Sequence, residues 1–299
     1  MLIWPDTQKL ASDYPELLRQ SADWIAEHAA AFGLRMVLHL GDVVDQGACE
    51  EEQYRRAADA VARVEDAGVP VLIVPGNHDY DTPIVSTSGP IPAKERRQLR
   101  MFNRFFGVRR LTGKSWFGGV FEEGRVENMY ALWRAERQRL LVLMLEFMPR
   151  REVLAWADEV VSRCEGHDVI VVTHSYLNMY GERVAAGDPA NPKAKYPSVA
   201  EGLDGEEMWQ LHLKWYPRLR AVFSGHHMPE TVSHRIDLGE HGNPVLQCFQ
   251  NWQSCERGGE GRFRIFEWDP DERHIRSRVF NPVTERFEFA DGYEVELRY

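Results

Sequence analysis

The chain has 299 residues, a formal charge of −10 and an apolar fraction of 43%, enough length to bury a core without disulfide or metal staples. Its four cysteines, Cys49, Cys164, Cys248 and Cys255, form no CxxC pair, so sequence-local zinc and redox motifs are excluded and ordinary thiols are expected. The acidic balance disfavours broad nucleic-acid binding, and with no leader-like start or apolar run near the roughly 20 residues of a membrane helix, the chain reads as cytoplasmic.

In chain order, short continuous apolar runs predict strands at 2–4 (LIW), 36–40 (MVLHL), 69–74 (VPVLIV), 140–147 (LLVLMLEF), 169–173 (VIVVT) and 221–224 (AVFS). Such runs are typical of central strands covered on both faces. Amphipathic helices are predicted between them. One opens near Pro15 and stops at Gly33, a second ends at Gly68 with its acidic residues in the first turns, and a third follows Pro149. The alternation points to a layered α/β sheet. Two stretches break it, 81–135 with basic and aromatic residues and 178–205 rich in Gly, Pro and Asn. Each is long for a connector, and serves either as a substrate-contacting lid or as cover for a sheet edge. From about 231, alternating short segments suggest a second β-layer.

The strand ends carry the chemistry. Each predicted strand at 2–4, 36–40, 69–74, 169–173 and 221–224 is followed by a carboxylate, amide or imidazole: PDTQ, GDVVDQG, PGNHDYD, THSY and SGHHM. Ligands of open α/β sheets bind at the carboxyl ends of strands, so Asp6, Asp42, Asn77, His174 and His226 can converge although far apart in sequence. A mixed oxygen and nitrogen set suits divalent first-row ions such as Mn, Fe, Co, Ni or Zn. Glycines 41, 76 and 225 beside them allow tight turns and close approach.

GDVVDQG, GNHDYD, THS and SGHH, in that order over residues 2–228, resemble the motifs of the calcineurin-like metallophosphoesterase family. The resemblance implies an α/β fold, a four-layer α/β/β/α sandwich of two mixed sheets. It also implies a single domain over 1–299 that carries the insertions at about 81–135 and 178–205. Two divalent ions, from Mn, Fe, Zn or Ni, are implied at one rim. Asp42 would bridge them, Asn77, His174 and His226 would complete one site, and Asp6 would serve the other. His78 would protonate the leaving oxygen, with Asp79 orienting it. The implied reaction is hydrolysis of a small phosphomonoester or phosphodiester by a metal-activated water. The alternatives are a metal-binding, catalytically weak interaction module, or a nuclease using the basic and aromatic residues of 102–117, including Arg109, Arg110 and Lys114.

Two positions depart from the family pattern. Asp-x-His is here Asp6-Thr7-Gln8, and Gly-His-x-His is here Gly225-His226-His227-Met228. Both missing imidazoles belong to one site, which predicts an asymmetric centre with a second site that is weak and prefers a harder ion such as Mn or Mg. Met228 is expected to pack, Gln8 is either a ligand or a bystander, and His227, His234 or His241 could substitute for the lost imidazole. His39 is expected in the core, and His28, His167, His212 and His274 at the surface.

Overall fold

The computed structural model describes residues 1–82, 95–135, 138–229 and 231–299. Its strands are β1 (Leu2–Trp4), β2 (Val37–His39), β3 (Val71–Ile73), β4 (Phe117–Val120), β5 (Met129–Ala135), β6 (Gln138–Met144) and β7 (Asp168–Val172), followed by β8 (Leu219–Ser224), β9 (Val232–Leu238), β10 (Pro244–Gln250), β11 (Phe263–Asp269), β12 (His274–Asn281), β13 (Arg286–Phe287) and β14 (Glu294–Arg298). Helices are α1 (Gln8–Asp13), α2 (Pro15–His28), α3 (Glu51–Asp66), α4 (Arg100–Phe106), α5 (Arg151–Arg163), α6 (Pro192–Lys195) and α7 (Gly205–Leu211).

Two mixed seven-stranded sheets result. One runs β13-β12-β11-β1-β2-β3 with β14 beside β12, and the other runs β4-β5-β6-β7-β8-β10-β9. Strands β1, β2 and β3 are mutually parallel, as are β6, β7, β8 and β10. Every apolar residue of the parallel core strands is buried, and the period of two sorts them. Val142, Met144, Ile170, Val172, Ala221 and Phe223 face the other sheet in one cluster, whereas Leu141, Leu143, Val169, Val171 and Val222 pack with Val153, Leu154 and Ala157 of α5. Two packed sheets clothed by helices make the α/β/β/α sandwich. Among the described residues no helix is long and apolar enough to cross a membrane.

Both long stretches that break the α/β rhythm have structural work. Within 81–135, residues 117–120 and 129–135 supply two strands at the edge of the second sheet; residues 83–94 lie outside the described residues. Phe102 and Phe106 of α4 are buried, and Phe105 stacks on Tyr54 at 5.4 Å. The segment after 231 does not form a separate layer. Its first two strands extend the second sheet, and β11–β14 flank β1 in the first. Pairing explains the split: β10 is parallel to β8, and β11 antiparallel to β1.

Sheet-to-sheet packing is dense at Phe223 and Phe266, two fully buried rings meeting edge to face at 5.2 Å. Phe223→Ala is expected to destabilise by about 3–5 kcal/mol, read as a lower urea midpoint at unchanged slope; a loss under about 1 kcal/mol would contradict this packing.

Candidate metal centre

Five strand ends meet at one rim. The turn after β2 places Asp42 at φ 50°, and the turn after β8 places His226 at φ 77°, both in the left-handed region that non-glycine residues rarely adopt. Two glycines make room for the carboxylates: a Cβ on Gly76 would lie 2.2 Å from Asp42 Oδ1, and one on Gly225 2.1 Å from Asp6 Oδ1.

His174 is fully buried after β7. Its Nδ1 lies 2.7 Å from the Leu40 carbonyl. A carbonyl only accepts, so Nδ1 carries the donated proton and Nε2 faces the centre, the arrangement usual for a metal-binding histidine. Around Nε2 converge Asp42 Oδ2, Asn77 Oδ1 and His226 Nδ1, each at 3.2 Å. Ligand atoms of Asp42, His174 and His226 all lie within 4.8 Å of one another. The sequence-selected Asp42, Asn77, His174 and His226 are thus together, and their donor set fits a divalent cation.

Asp6 is adjacent but held differently. Its Oδ2 accepts from the His226 amide at 3.0 Å and from Asn251 Nδ2 at 3.0 Å. Its Oδ1 has no hydrogen-bond partner, and neither does Gln8 Oε1, although both side chains are buried. An unpaired buried polar atom costs about 1–3 kcal/mol, a cost that a cation bound at either oxygen would offset. Met228 is 51% exposed and is not packed inside. Of the histidines considered as substitutes, His227 is buried with Nε2 3.1 Å from Ser175 Oγ, His234 lies on β9, and His241 sits in the turn between β9 and β10. The neighbours of Asp6 and Gln8 are instead Asn251 and Gln253, just past β10. In sequence these are two amides after a strand, and only the pairing of β10 with β8 brings them to the rim.

His78 projects at the edge with its side chain 38% exposed. Its amide donates to Asp42 Oδ1 at 2.8 Å, and its Nδ1 donates to the Asp45 carbonyl at 2.7 Å. The orienting contact therefore comes from Asp45 rather than from Asp79. The fully buried Asp79 carboxylate accepts from the amides of Gly76 at 2.8 Å, Val43 at 3.0 Å and Val44 at 3.2 Å, so it ties the turn after β3 to the turn after β2. His39 is a core residue: Gly41 N donates to its Nδ1 at 3.1 Å, its Nε2 meets Thr7 Oγ1 at 3.0 Å, and burial lowers its pKa to about 3. His167, expected at the surface, is buried with Nδ1 on the Cys164 carbonyl.

The 178–205 stretch reaches the centre. Tyr196 packs against His226 and Phe147 at 5.9 and 5.8 Å between ring centroids, with Lys195 beside it. A buried arginine secures the surrounding backbone. Arg97 donates to the carbonyls of Phe147 at 3.1 Å and Met148 at 2.8 Å, and reaches Val199 O at 3.5 Å, Glu146 at 3.2 Å and Glu201 at 3.2 Å. In contrast, Arg110 is spent on Glu65 and the Val71 carbonyl, while Arg109 and Lys114 are exposed.

Electrostatically the rim carries excess buried negative charge. Burial, with Asp42 adding repulsion, raises Asp6 and Asp79 to about 7. Burial opposes charge on His174, but Asp42 overrides it and raises the imidazole to about 9. Burial and the neighbouring His227 and His174 lower His226 well below its usual value. All three raised groups bind protons more tightly folded than unfolded, so their contribution favours the fold at low pH. It fades for the aspartates as pH rises from about 4 to 7 and for His174 from about 6.5 to 9. Chelator-stripped protein is therefore expected to lose thermal stability progressively between about pH 4 and 9, the span of those titrations, and protein loaded with Mn to resist that loss. Parallel melting curves of the two forms would contradict the placement of these groups.

Residues 6–230 match the family model described as calcineurin-like phosphoesterase. The uncharacterized protein YvnB of Bacillus subtilis is 23% identical over 294 residues, which cover 97% of this chain and 20% of YvnB, so the chain spans about a fifth of that relative. A dimetal phosphatase from Danio rerio superposes with TM-score 0.57 at 12% identity, covering 100% of this chain and 98% of the other, a likeness of fold. GAP50, the anchor in the inner membrane complex of Plasmodium, superposes with TM-score 0.48 at 10% identity, covering 100% and 90%.

Proposed function

The chain belongs to the calcineurin-like phosphoesterase family, a family of metal-dependent phosphoesterases, and from that premise we propose that it hydrolyses a small phosphomonoester or phosphodiester. In this reading Asp42, Asn77, His174 and His226 hold one divalent cation, and Asp6 with Asp42 holds a second. The observation that carries the proposal is the convergence of Asp42, Asn77 and His226 on His174 Nε2, each at 3.2 Å. Bound divalent ions supply an activated water and neutralise charge on the phosphoryl oxygens during in-line displacement.

The chain's own residues do the rest. His174 presents Nε2 because Leu40 holds its Nδ1 proton. His78 is fixed by the Asp45 carbonyl through Nδ1, which leaves Nε2 at the open edge to give its proton to the leaving oxygen. Burial works against charge on His78, but Asp42 and then Asp45 raise its pKa, favouring the form that carries that proton. Asp79 acts through the backbone turns that carry Asp42 and His78. Tyr196 walls one side of the mouth.

A nuclease is less well supported. Of the aromatics in 102–117, Phe102, Phe106 and Trp116 are buried and Phe105 and Phe117 partly buried in the core, and Arg110 is paired internally. A catalytically weak metal-binding module draws on the missing imidazoles at Gln8 and Met228, and the same assay decides it. Asn77→Ala and His174→Ala are expected to lose bound metal and phosphoesterase activity together, whereas His78→Ala keeps its metal and loses about 10²–10⁴ in turnover on a substrate with a poor leaving group. Metal analysis by elemental mass spectrometry and a phosphoester panel read both effects. Metal-loaded protein inactive on the whole panel would favour the noncatalytic module.

A further inference from the structure

The strand end that bears Asp6 is completed from the other end of the chain. Asn251 Nδ2 donates to Asp6 Oδ2 at 3.0 Å, and Gln8 Nε2 donates to Gln253 Oε1 in a short contact. The two holders are joined, since the Gln253 backbone amide donates to Asn251 Oδ1 at 3.0 Å. All four side chains are more than nine-tenths buried. In each held residue one terminal atom is engaged by the 251–253 segment and the other is left over, and the atoms left over are both oxygens, Asp6 Oδ1 and Gln8 Oε1.

That pattern has a chemical reading. A side-chain amide can turn either its oxygen or its NH₂ toward a neighbour, and only the oxygen can bind a cation. Here Gln253 turns its Oε1 to the Gln8 NH₂, which leaves Gln8 Oε1 for a cation. At Asp6, Asn251 and the His226 backbone amide occupy Oδ2 and leave Oδ1 over. Among the described residues no histidine side chain is hydrogen-bonded to Asp6 or Gln8: His227 is engaged by Ser175, and His226 directs Nδ1 toward His174. We infer that Asn251 and Gln253 are positioning residues of an all-oxygen second cation site, formed by Asp6, Asp42 and Gln8, that selects Mn²⁺ or Mg²⁺ over Zn²⁺. The inference rests on the proposed reading in that Asp42 serves both sites. Hard oxygen donors favour Mg and Mn, whereas Zn gains most from nitrogen and sulfur. The centre is thus mixed, with a nitrogen-bearing site beside an oxygen-only one.

The test is metal binding to the chelator-stripped whole chain. Free Mn²⁺ is followed by electron paramagnetic resonance and bound Zn²⁺ by elemental mass spectrometry after desalting. Wild type is expected to take up two Mn²⁺ per chain but to retain one Zn²⁺. Gln253→Leu should weaken the second Mn²⁺ by about 10–100-fold, the usual effect of removing a group that orients a metal ligand, and leave the first unchanged. Gln253→Glu, which still accepts from Gln8, should hold the second Mn²⁺ at least as tightly as wild type. Gln8→His should raise retained Zn²⁺ from one to two. Two Zn²⁺ retained by wild type, or an unchanged second Mn²⁺ affinity in folded Gln253→Leu, would overturn the inference. Should that variant not fold, weaker Mn²⁺ binding by Gln253→Glu or a single Zn²⁺ in Gln8→His would overturn it instead. These readouts need no substrate, so a chain that binds metals as described but cleaves no phosphoester would sink the hydrolase reading alone.

Discussion

Everything at the rim is arranged around one buried anion, the carboxylate of Asp42. Its Oδ1 takes the amide of His78 from the turn after β3, its Oδ2 faces His174 after β7, and its own backbone carbonyl accepts from Thr7 after β1. Three strand ends from both sheets are thereby referred to a single residue that is 1% exposed. A lone carboxylate is costly in such a place, and the neighbours divide the compensation between backbone amides and imidazoles. The arrangement accounts for glycine at 76, for the left-handed backbone at Asp42, and for the grip of Asp79 on the adjacent amides.

Much of this was legible in the sequence because parallel strands announce themselves. Short runs such as VLIV and VIVV are apolar at every position, and in this architecture whatever follows them falls at a common edge. Asp6, Asp42, Asn77, His174 and His226 could therefore be gathered without coordinates. The same logic misses residues whose position depends on antiparallel returns. Gln253 follows a strand of the alternating C-terminal region, where nothing in the pattern says which sheet the strand joins, and its approach to Gln8 spans 245 positions.

Other departures have equally local causes. The basic and aromatic composition of 102–117 looks like a surface for ligands, yet Phe105 and Phe106 pack against Tyr54, and Phe102 and Trp116 are buried. The family resemblance assigned Asp79 to orient His78. In a tight turn adjacent side chains diverge, and the carboxylate folds back onto amides while the imidazole finds a carbonyl from the facing loop. The resemblance was a poor guide at that position, whereas strand-end position gathered the rim residues.

Arg97 has a consequence for how the mouth would receive a ligand. By fastening the carbonyls of Phe147 and Met148 and approaching that of Val199, it clamps the backbone on two sides of Tyr196 before anything binds. A wall fastened in this way has little disorder to surrender on encounter, so discrimination there would come from shape and size of the visitor rather than from closure around it.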